Sequence, residues 1–234
     1  RIESNDFKEN NVGIVVADYN DNDTITPGNV LIKSNTFEEN RKPIYLYTLS
    51  HNSFSDNTFL NNNNLAENDG NAIFFSGLAL RYKNDAVLEP GFYSSDGILV
   101  VPEGVKLTLS PGVIIGFPDA GVEIHGTLEA VGTAQNPIVF KNKYFEEEPL
   151  PGRWFGLSFF GQSQNSKLEN VEVFNAGGTD SGATRFFAAV RVDNCDVSIK
   201  DSFIHDNKNN GIWLINSNSV VDNVRFYNHR IGEF

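Results

Sequence analysis

The chain has 234 residues with 30 acidic and 18 basic side chains, which gives a formal net charge of -12. Such an acidic chain is unsuited to nucleic acid, because phosphate binding needs a basic stripe, and the same charge disfavours a peripheral membrane role. The single cysteine, Cys195, excludes an intrachain disulfide. We expect it to be a small buried or corner residue, as free cysteines commonly are.

A short motif of alternating apolar and polar residues opens the chain and recurs. Its first copies occupy residues 2–10, 32–40 and 54–62, within an asparagine-rich region that we assign to residues 1–80. The alternation has the period of a β-strand, and the Asn, Asp and Gly residues between the runs suit tight corners. Because one copy cannot bury its apolar face alone, we expect the copies to stack as rungs of a parallel solenoid. Corner asparagines are predicted to hydrogen-bond along the stack as ladders, namely Asn10, Asn40, Asn62 and Asn207.

The first long corner is an acidic loop with the ligand types of a calcium site. Oxygen-bearing side chains alternate along it at Asp18, Asn20, Asn22 and Asp23. The glycine and the distal glutamate of an EF-hand are missing. The pattern therefore leaves two readings open, a calcium site and a plain acidic loop, and Ca²⁺ is the one cofactor that the sequence raises.

The second rung carries outward aromatic residues. If Ile44 and Leu46 point into the solenoid, strand alternation turns Tyr45 and Tyr47 outward, and the next rung places Phe74 beside Tyr45. Sugars stack on flat aromatic faces, so Tyr45, Tyr47 and Phe74 are candidate ligand-binding residues. The alternative is that a loop or a neighbouring module covers this column.

The middle of the chain departs from the asparagine-rich motif. Residues 81–97 interrupt it, and residues 98–140 alternate short strands with Pro-x-Gly or Pro-Gly corners. We expect a protruding loop at residues 141–153 and a further rung that begins at Trp154. These elements form the middle region, residues 81–160, and Leu109 is predicted to lie in the core.

Motif-type rungs resume in residues 161–234, where the last two copies begin at positions 199 and 221. This spacing places Trp213 next to Arg191 and Tyr227 next to His205 on adjacent rungs. Since Val190 and Val192 point inward, Arg191 and Trp213 must face outward. We take them, with Ser158, as a candidate ligand-binding column equivalent to the tyrosine column.

Two further expectations concern the same region. Phe203 is predicted to point into the core. The densest acidic and histidine group is expected to consist of solvated corner residues, namely Asp193, Asp196, Asp201, His205 and Asp206. The four histidines of the chain show no metal-ligand spacing.

The stacked motifs resemble the right-handed parallel β-helix superfamily, the pectin-lyase-like fold, over nearly the whole chain. The Pro-Gly block at residues 98–140 resembles the block that opens β-helix domains of large secreted or surface-attached bacterial proteins. The resemblance implies an all-β, single-stranded right-handed β-helix, with about 10 rungs in one domain of residues 1–234. Because the chain opens and closes inside a repeat, we expect it to be a piece of a longer protein.

The resemblance identifies a fold that houses polysaccharide lyases, polygalacturonases, epimerases and glycosidases. The Asn-Thr-Asp, Asp-Asp, Gly-His-Gly and Arg-Ile-Lys motifs of polygalacturonases do not occur here, nor does the Asp-Pro-His signature of alginate epimerases. We therefore favour a non-enzymatic extracellular or cell-surface scaffold or adhesin segment, of bacterial or archaeal type, with carbohydrate binding as its candidate activity. The alternative is a polysaccharide lyase or glycoside hydrolase acting on acidic polysaccharide. The predicted partners are a polysaccharide or cell-surface glycan and flanking modules of the same chain, without nucleic acid or membrane insertion.

Overall fold

A computed structural model describes residues 1–17, 30–47, 52–60, 62, 72–77, 79–143, 150–161, 163, 165–178 and 187–229. Within these residues all regular structure is β-strand, as predicted. The first three turns contain β1 (Ile2–Glu3), β2 (Asp6–Lys8), β3 (Val12–Val16), β4 (Val30–Lys33), β5 (Thr36–Glu38), β6 (Lys42–Leu46), β7 (Asn52–Ser55), β8 (Thr58–Leu60) and β9 (Ile73–Phe75).

Six further turns follow, each again built from three strands. The first three of them contain β10 (Ala79–Arg81), β11 (Ala86–Leu88), β12 (Gly91–Ser95), β13 (Ile98–Val101), β14 (Lys106–Leu109), β15 (Val113–Phe117), β16 (Gly121–Ile124), β17 (Thr127–Val131) and β18 (Ile138–Asn142). The last three contain β19 (Gly156–Phe160), β20 (Ser166–Glu169), β21 (Val171–Phe174), β22 (Ala188–Asp193), β23 (Val197–Lys200), β24 (Phe203–His205), β25 (Asn210–Ile215), β26 (Val220–Asp222) and β27 (Arg225–Tyr227).

The turns stack into walls of parallel strands. The long wall takes one strand from every described turn, in the order β3-β6-β9-β12-β15-β18-β21-β24-β27. In the last six turns the second wall is β10-β13-β16-β19-β22-β25, and the third wall is β11-β14-β17-β20-β23-β26. In the first three turns two short sheets, β1-β4-β7 and β2-β5-β8, complete the prism. The nine described turns agree with the predicted rung number.

The strand register follows the repeat spacing of the sequence. Ile2 pairs with Ile32 at the start of the chain, and Ile199 pairs with Val221 near its end. Each pair joins the same position of two motif copies. The predicted alignment is therefore confirmed at both ends of the solenoid.

A continuous apolar core runs along the axis, with aromatic rings stacked inside it. Phe37 lies between Phe7 and Phe59, with ring centroids 5.0 and 5.3 Å away. Phe117 stacks on the buried Trp154 at 5.1 Å. Leu109 and Cys195 are buried, as predicted. Several phenylalanines thus form ring stacks that connect one turn to the next.

One predicted core residue is not in the core. Phe203 is 40% exposed, and the next residue, Ile204, is fully buried. Strand alternation explains this difference, because Ser202 occupies the corner and the first residue of β24 then points outward. The core position that matches Phe37 is therefore Ile204, one residue later than the sequence prediction.

Asparagine ladders hold the corners together. Asn40 is buried, accepts hydrogen bonds from the backbone and side-chain nitrogens of Asn10, and donates from Nδ2 to Asn62 Oδ1 at 3.0 Å. A second ladder that the sequence did not predict joins Asn5, Asn35 and Asn57. The predicted ladder of Asn10, Asn40 and Asn62 is confirmed, because the side-chain oxygen of each later asparagine accepts hydrogen bonds from the nitrogens of the asparagine one turn earlier.

The corners are made by residues in the left-handed backbone conformation immediately before the ladder positions. Glu39 precedes Asn40 with φ 55°, and Asp206 precedes Asn207 with φ 51°. Asn207 Oδ1 accepts a hydrogen bond from the backbone nitrogen of Ala176 in the preceding turn, at 2.7 Å. The same corner chemistry is therefore used at both ends of the molecule.

The two sets of motif copies do not use the same walls, which corrects one sequence prediction. In the first set the strand after the ladder asparagine, such as β6, belongs to the long wall; in the last set the matching strand, β25, belongs to the second wall. Tyr45 and Trp213 therefore lie on different walls. The column of Ser158, Arg191 and Trp213 is not the spatial equivalent of the tyrosine column.

Candidate functional site

The outer face of the long wall brings the candidate residues of both ends into one column. From the first turn it runs in register through Val15, Tyr45, Phe74, Ser94, Gly116 and Lys141. In the last three turns it contains Phe174, His205 and Tyr227. Outward side chains on one wall lie about 4.8 Å apart along the stack. Phe74 and Ser94 are buried, whereas Val15 and Tyr227 at the two ends are exposed, so the column is open to solvent towards its ends.

At its first end the column opens into a tyrosine hollow of ≈ 220 Å³. Tyr45 and Tyr47 meet edge to face there, with ring centroids 4.9 Å apart and 71° between their planes. The ring of Tyr47 is 53% exposed. The Lys42 ammonium lies 4.4 Å from the centroid of Tyr45, which gives the hollow a cation held against an aromatic face. Asn11, Val12, Val15 and Arg41 complete its described lining.

The phenol of Tyr47 remains a neutral hydrogen-bonding group. Its neighbour Tyr45, followed by burial, raises the pKa of Tyr47 above its ordinary value. Tyr47 can therefore donate and accept hydrogen bonds while its exposed ring offers a flat stacking surface.

Phe74, the third residue of the predicted tyrosine column, lies next to Tyr45 at a ring-centroid distance of 6.4 Å, as the register predicts. It is only 1% exposed, and the Lys42 ammonium lies 5.1 Å from its ring centroid. Phe74 is therefore a covered aromatic residue, which agrees with the alternative that this column is covered. Phe74 supports the ring of Tyr45, and the exposed surface of the hollow belongs to the two tyrosines.

Sequence reasoning missed Lys42 in this hollow, together with Asn11 and Arg41. Lys42 is two residues before Ile44 and four before Leu46, which point inward, so strand alternation predicts an inward side chain at this position. It lies at the first residue of β6, directly after the corner. The position next to a corner was the only available signal.

The predicted pair of Arg191 and Trp213 is present on the second wall. The two residues are register partners, and the Arg191 guanidinium carbon lies 5.3 Å from the Trp213 ring. On its other side the guanidinium is 5.7 Å from the ring of Phe160. Arg191 Nη2 also donates to Asp193 Oδ2 at 2.5 Å. The predicted neighbourhood is confirmed.

The surroundings of Arg191 restrict what it can bind. Its side chain is 12% exposed, is held between two aromatic rings and is ion-paired with Asp193. Its Nε atom is buried and has no hydrogen-bond partner among the residues that the structure describes. A glycan carboxylate would have to compete with Asp193, so Trp213 offers the more accessible face of this pair. Ligand binding by Arg191 and Trp213 stays a prediction.

At the far end of the long wall, His205 lies between two carboxylates, which corrects its expected place on a solvated corner. It is 7% exposed. Its Nδ1 is 2.6 Å from Asp206 Oδ2, and its Nε2 is 2.9 Å from Glu172 Oε1. The rings of Phe174 and Tyr227 stack on its two faces, at 5.1 and 4.6 Å. The predicted position of His205 next to Tyr227 is confirmed.

The environment of His205 favours its charged form. Burial acts most strongly and lowers the pKa of His205, but the hydrogen bonds and charges of Glu172 and Asp206 together outweigh it, so the pKa is raised. Because both ring nitrogens are engaged, the imidazole cannot accept a substrate proton while these contacts persist. The raised pKa of His205 therefore favours a buried cation between Glu172 and Asp206.

Glu172 was missed by the sequence analysis, although the motif copies that start at positions 168 and 199 contained the signal. Superposing those two copies aligns Glu172 with Phe203, and the structure pairs these two residues on neighbouring strands. His205 is then within reach on the same face. Glu172, Asp201, Phe203 and Tyr227 border a groove of ≈ 330 Å³.

The candidate calcium ligands Asp18, Asn20, Asn22 and Asp23 lie outside the described residues, so calcium binding there stays a prediction. Among the residues that the structure does describe, no group of three or more His, Cys, Asp or Glu side chains could hold a metal ion. In that same part of the chain, no helix has the length and hydropathy needed to cross a membrane.

Comparison with known proteins identifies the family and leaves the activity open. Residues 92–232, more than half of the chain, match the family model of the right handed beta helix region. No curated protein and no solved structure matches the chain. The stacked walls of parallel strands in the structure agree with this match. The chain therefore belongs to the right handed beta helix family.

Proposed function

We propose that this β-helix is a non-catalytic extracellular scaffold that binds an acidic polysaccharide in the tyrosine hollow. The observation that carries the proposal is the exposed ring of Tyr47 beside Tyr45, with the Lys42 ammonium against the Tyr45 ring. A sugar ring stacks on an aromatic face, and a cation at its edge favours a carboxylated or sulfated sugar.

The charge of the whole protein strengthens the argument for a specific site. The chain carries a net charge of -12, which repels an acidic polymer from most of its surface. The hollow nevertheless combines Lys42 and Arg41 with the amide of Asn11 and two tyrosines. The tyrosine hollow can therefore hold an acidic polysaccharide, while the negative charge of the remaining surface repels it.

The position of the hollow suits a polymer as well as a single sugar. Tyr45 and Val15 are neighbours in the outward column of the long wall, so the hollow spans two adjacent rungs. A polysaccharide lying parallel to the axis would meet one rung about every 4.8 Å. We therefore expect affinity to rise with oligosaccharide length until the exposed part of the hollow is filled.

Titration calorimetry with polygalacturonate and with a neutral glucan tests this function. We expect binding of polygalacturonate alone, with Tyr47→Ala weakening it about tenfold, which corresponds to about 1.4 kcal/mol. Tyr227→Ala is a matched control, because that tyrosine is 49% exposed on the same wall at its opposite end from β3. Equal binding of the neutral glucan, or full affinity in Tyr47→Ala, would contradict the proposal.

Cleavage of an acidic polysaccharide is the alternative function, and the same preparation tests it. Carboxylates of Glu172 and Asp206 lie on either side of His205, but each is engaged with the imidazole. We expect no release of reducing ends and no unsaturated product when the protein is incubated with polygalacturonate. Product formation that disappears in Glu172→Gln would establish catalysis in place of simple binding.

A further inference from the structure

The groove at the far end of the long wall differs in chemistry from the tyrosine hollow. It has a volume of ≈ 330 Å³, at the small end of the range for small-molecule sites. Its described lining combines carboxylates, aromatic rings and neutral polar groups, namely Glu172, Asp201, Phe203, Tyr227, Thr133 and Asn170. None of the described lining residues is a lysine or an arginine.

Two aromatic rings of this groove are open to solvent. Phe203 and Tyr227 are 40% and 49% exposed, although both are large apolar side chains. They lie on neighbouring strands, β24 and β27, on the outer face of the long wall. Exposed aromatic faces next to carboxylates create a surface that attracts a cation, because the ring face and the carboxylates are both negative.

The contacts already present at this end show that preference. The guanidinium carbon of Arg225 lies 5.2 Å from the ring centroid of Phe203. The imidazole of His205 lies against Tyr227 and hydrogen-bonds to Glu172. Each exposed ring of the groove therefore contacts a cationic group of the protein itself, and a carboxylate of the lining takes part in one of these contacts.

We propose that this groove binds an organic ammonium group carried by an amino sugar. The ammonium is held by the carboxylates of Glu172 and Asp201, and the sugar ring lies on Phe203 and Tyr227. Glu172 keeps its Oε1 on His205 Nε2, so its second oxygen, Oε2, makes the new contact. Thr133 and Asn170 supply hydroxyl and amide groups that can bind the sugar hydroxyls. A lysine side chain of a protein partner would leave these two groups unused. The groove is about 30 Å along the wall from the tyrosine hollow, at about 4.8 Å per strand. It is therefore a second site, independent of the proposed function.

Calorimetric titration with a glucosamine tetramer and with the N-acetylglucosamine tetramer tests the proposal. The two oligomers share the same ring and linkage, but only the first carries ammonium groups. We expect the glucosamine tetramer to bind about tenfold more tightly. Equal affinities would overturn the ammonium assignment, and equally tight binding of a lysine tetrapeptide would overturn the sugar assignment.

Variants of the groove locate the binding. Asp201→Asn and Phe203→Ala should each weaken the glucosamine tetramer about tenfold, with melting temperatures close to that of the wild-type protein. Glu103→Gln removes one negative charge from an exposed corner outside the groove and serves as the matched control. An equal loss in Glu103→Gln, or full affinity in both groove variants, would mean that the net charge of the protein attracts the oligomer without a site.

The failure of this proposal can be told apart from failure of the tyrosine hollow. Tyr47→Ala should leave binding of the glucosamine tetramer unchanged, since the two surfaces share no residue. Loss of tetramer binding in Tyr47→Ala would place the amino sugar in the hollow and overturn the assignment to the groove.

Discussion

The first three turns and the last six turns of this β-helix use one motif in two ways. Thr36–Glu38 and Phe203–His205 follow equivalent corners, yet the first segment lies in a short separate sheet and the second lies in the long wall. The strands that follow these segments differ in the same way, since β6 lies in the long wall and β25 lies in the second wall. The motif therefore specifies corners and inward positions, but it does not specify the wall on which a strand lies.

The two regions are joined through one continuous wall. β9 is the last long-wall strand of the first region, and the chain then adds β10 and β11 before it returns to the long wall as β12. Among the described residues, the long wall alone is hydrogen-bonded across this junction; the other sheets end at β7 and β8 and begin again at β10 and β11. Motif copies start in the first strand of a turn at β1, β4 and β7, and in the second strand at β20, β23 and β26, so they have shifted by one wall between the two regions.

The two regions also differ in what their ladders contain. In the first region Asn35 and Asn40 are buried and bonded to asparagines on both neighbouring turns. In the last region the matching positions are Ser202 and Asn207, and further ladders lie on the surface, as between Asp201 and Asn223. The buried ladders replace solvent for the amide groups, whereas the surface ladders compete with water.

Core truncations should affect both regions alike and are expected to have the largest effect. Phe37→Ala and Leu109→Ala each remove a buried side chain and leave a cavity, so each should lower the free energy of unfolding by roughly 2–5 kcal/mol. Phe203→Ala is the matched control, because this ring is exposed and should cost about 0.5 kcal/mol or less. Denaturant unfolding monitored by circular dichroism measures all three. A loss at Phe203 as large as that at Phe37 would contradict the outward assignment of Phe203.

Breaking a ladder should separate the two regions. Asn40→Ala removes the side-chain hydrogen bonds of residue 40 to the Phe7 carbonyl oxygen, to the Asn10 amide nitrogens and to Asn62 Oδ1, so we expect a loss of about 2–3 kcal/mol. Asn223→Ala removes an exposed ladder residue of the last region and should cost less than about 1 kcal/mol. The free energies of unfolding of the two variants give the comparison directly, and equal losses would show that burial of the ladder is unimportant.

The pH dependence of stability should reveal the buried cation of the last region. The folded state raises the pKa of His205, so the folded protein binds the proton more tightly than the unfolded chain. Its stabilising contribution is then complete below the unfolded value of about 6.5 and is lost as the pH rises through the folded pKa. Unfolding measured across this range should show a decline that His205→Gln removes. A wild-type protein that gains stability over the variant with rising pH would mean that the folded imidazole is neutral.

The contact between Arg191 and Trp213 is expected to have the smallest effect. A double-mutant cycle with Arg191→Ala and Trp213→Ala should give a coupling energy of about 0.5–1 kcal/mol. The cycle separates this contact from the ion pair between Arg191 and Asp193, which both Arg191 variants lack. A coupling energy of zero would show that the ring and the guanidinium are adjacent without mutual stabilisation.

Local features of this protein follow from its sequence alone. Alternating residues define which side chains point inward, so Val190, Val192 and the outward Arg191 could be assigned before any coordinates. The spacing of the last motif copies aligned Trp213 with Arg191 and Tyr227 with His205, because identical motifs stack in register. The same regularity predicted the asparagine ladder of Asn40. In each case the information lies within one motif or between two adjacent copies.

Only the tertiary structure decided which of these local surfaces share a face. Tyr45 and His205 belong to one outward column, although the repeat pattern assigned the tyrosines and Trp213 to equivalent places. The physical reason is that hydrogen bonding between turns of three strands sets the walls, whereas a motif copy starts in the first strand of a turn at β1, β4 and β7 and in the second strand at β20, β23 and β26. Packing between turns also buries Phe74 and encloses His205 between Glu172 and Asp206. Contacts of this kind depend on neighbours from other turns, so strand alternation within a single motif could not predict them.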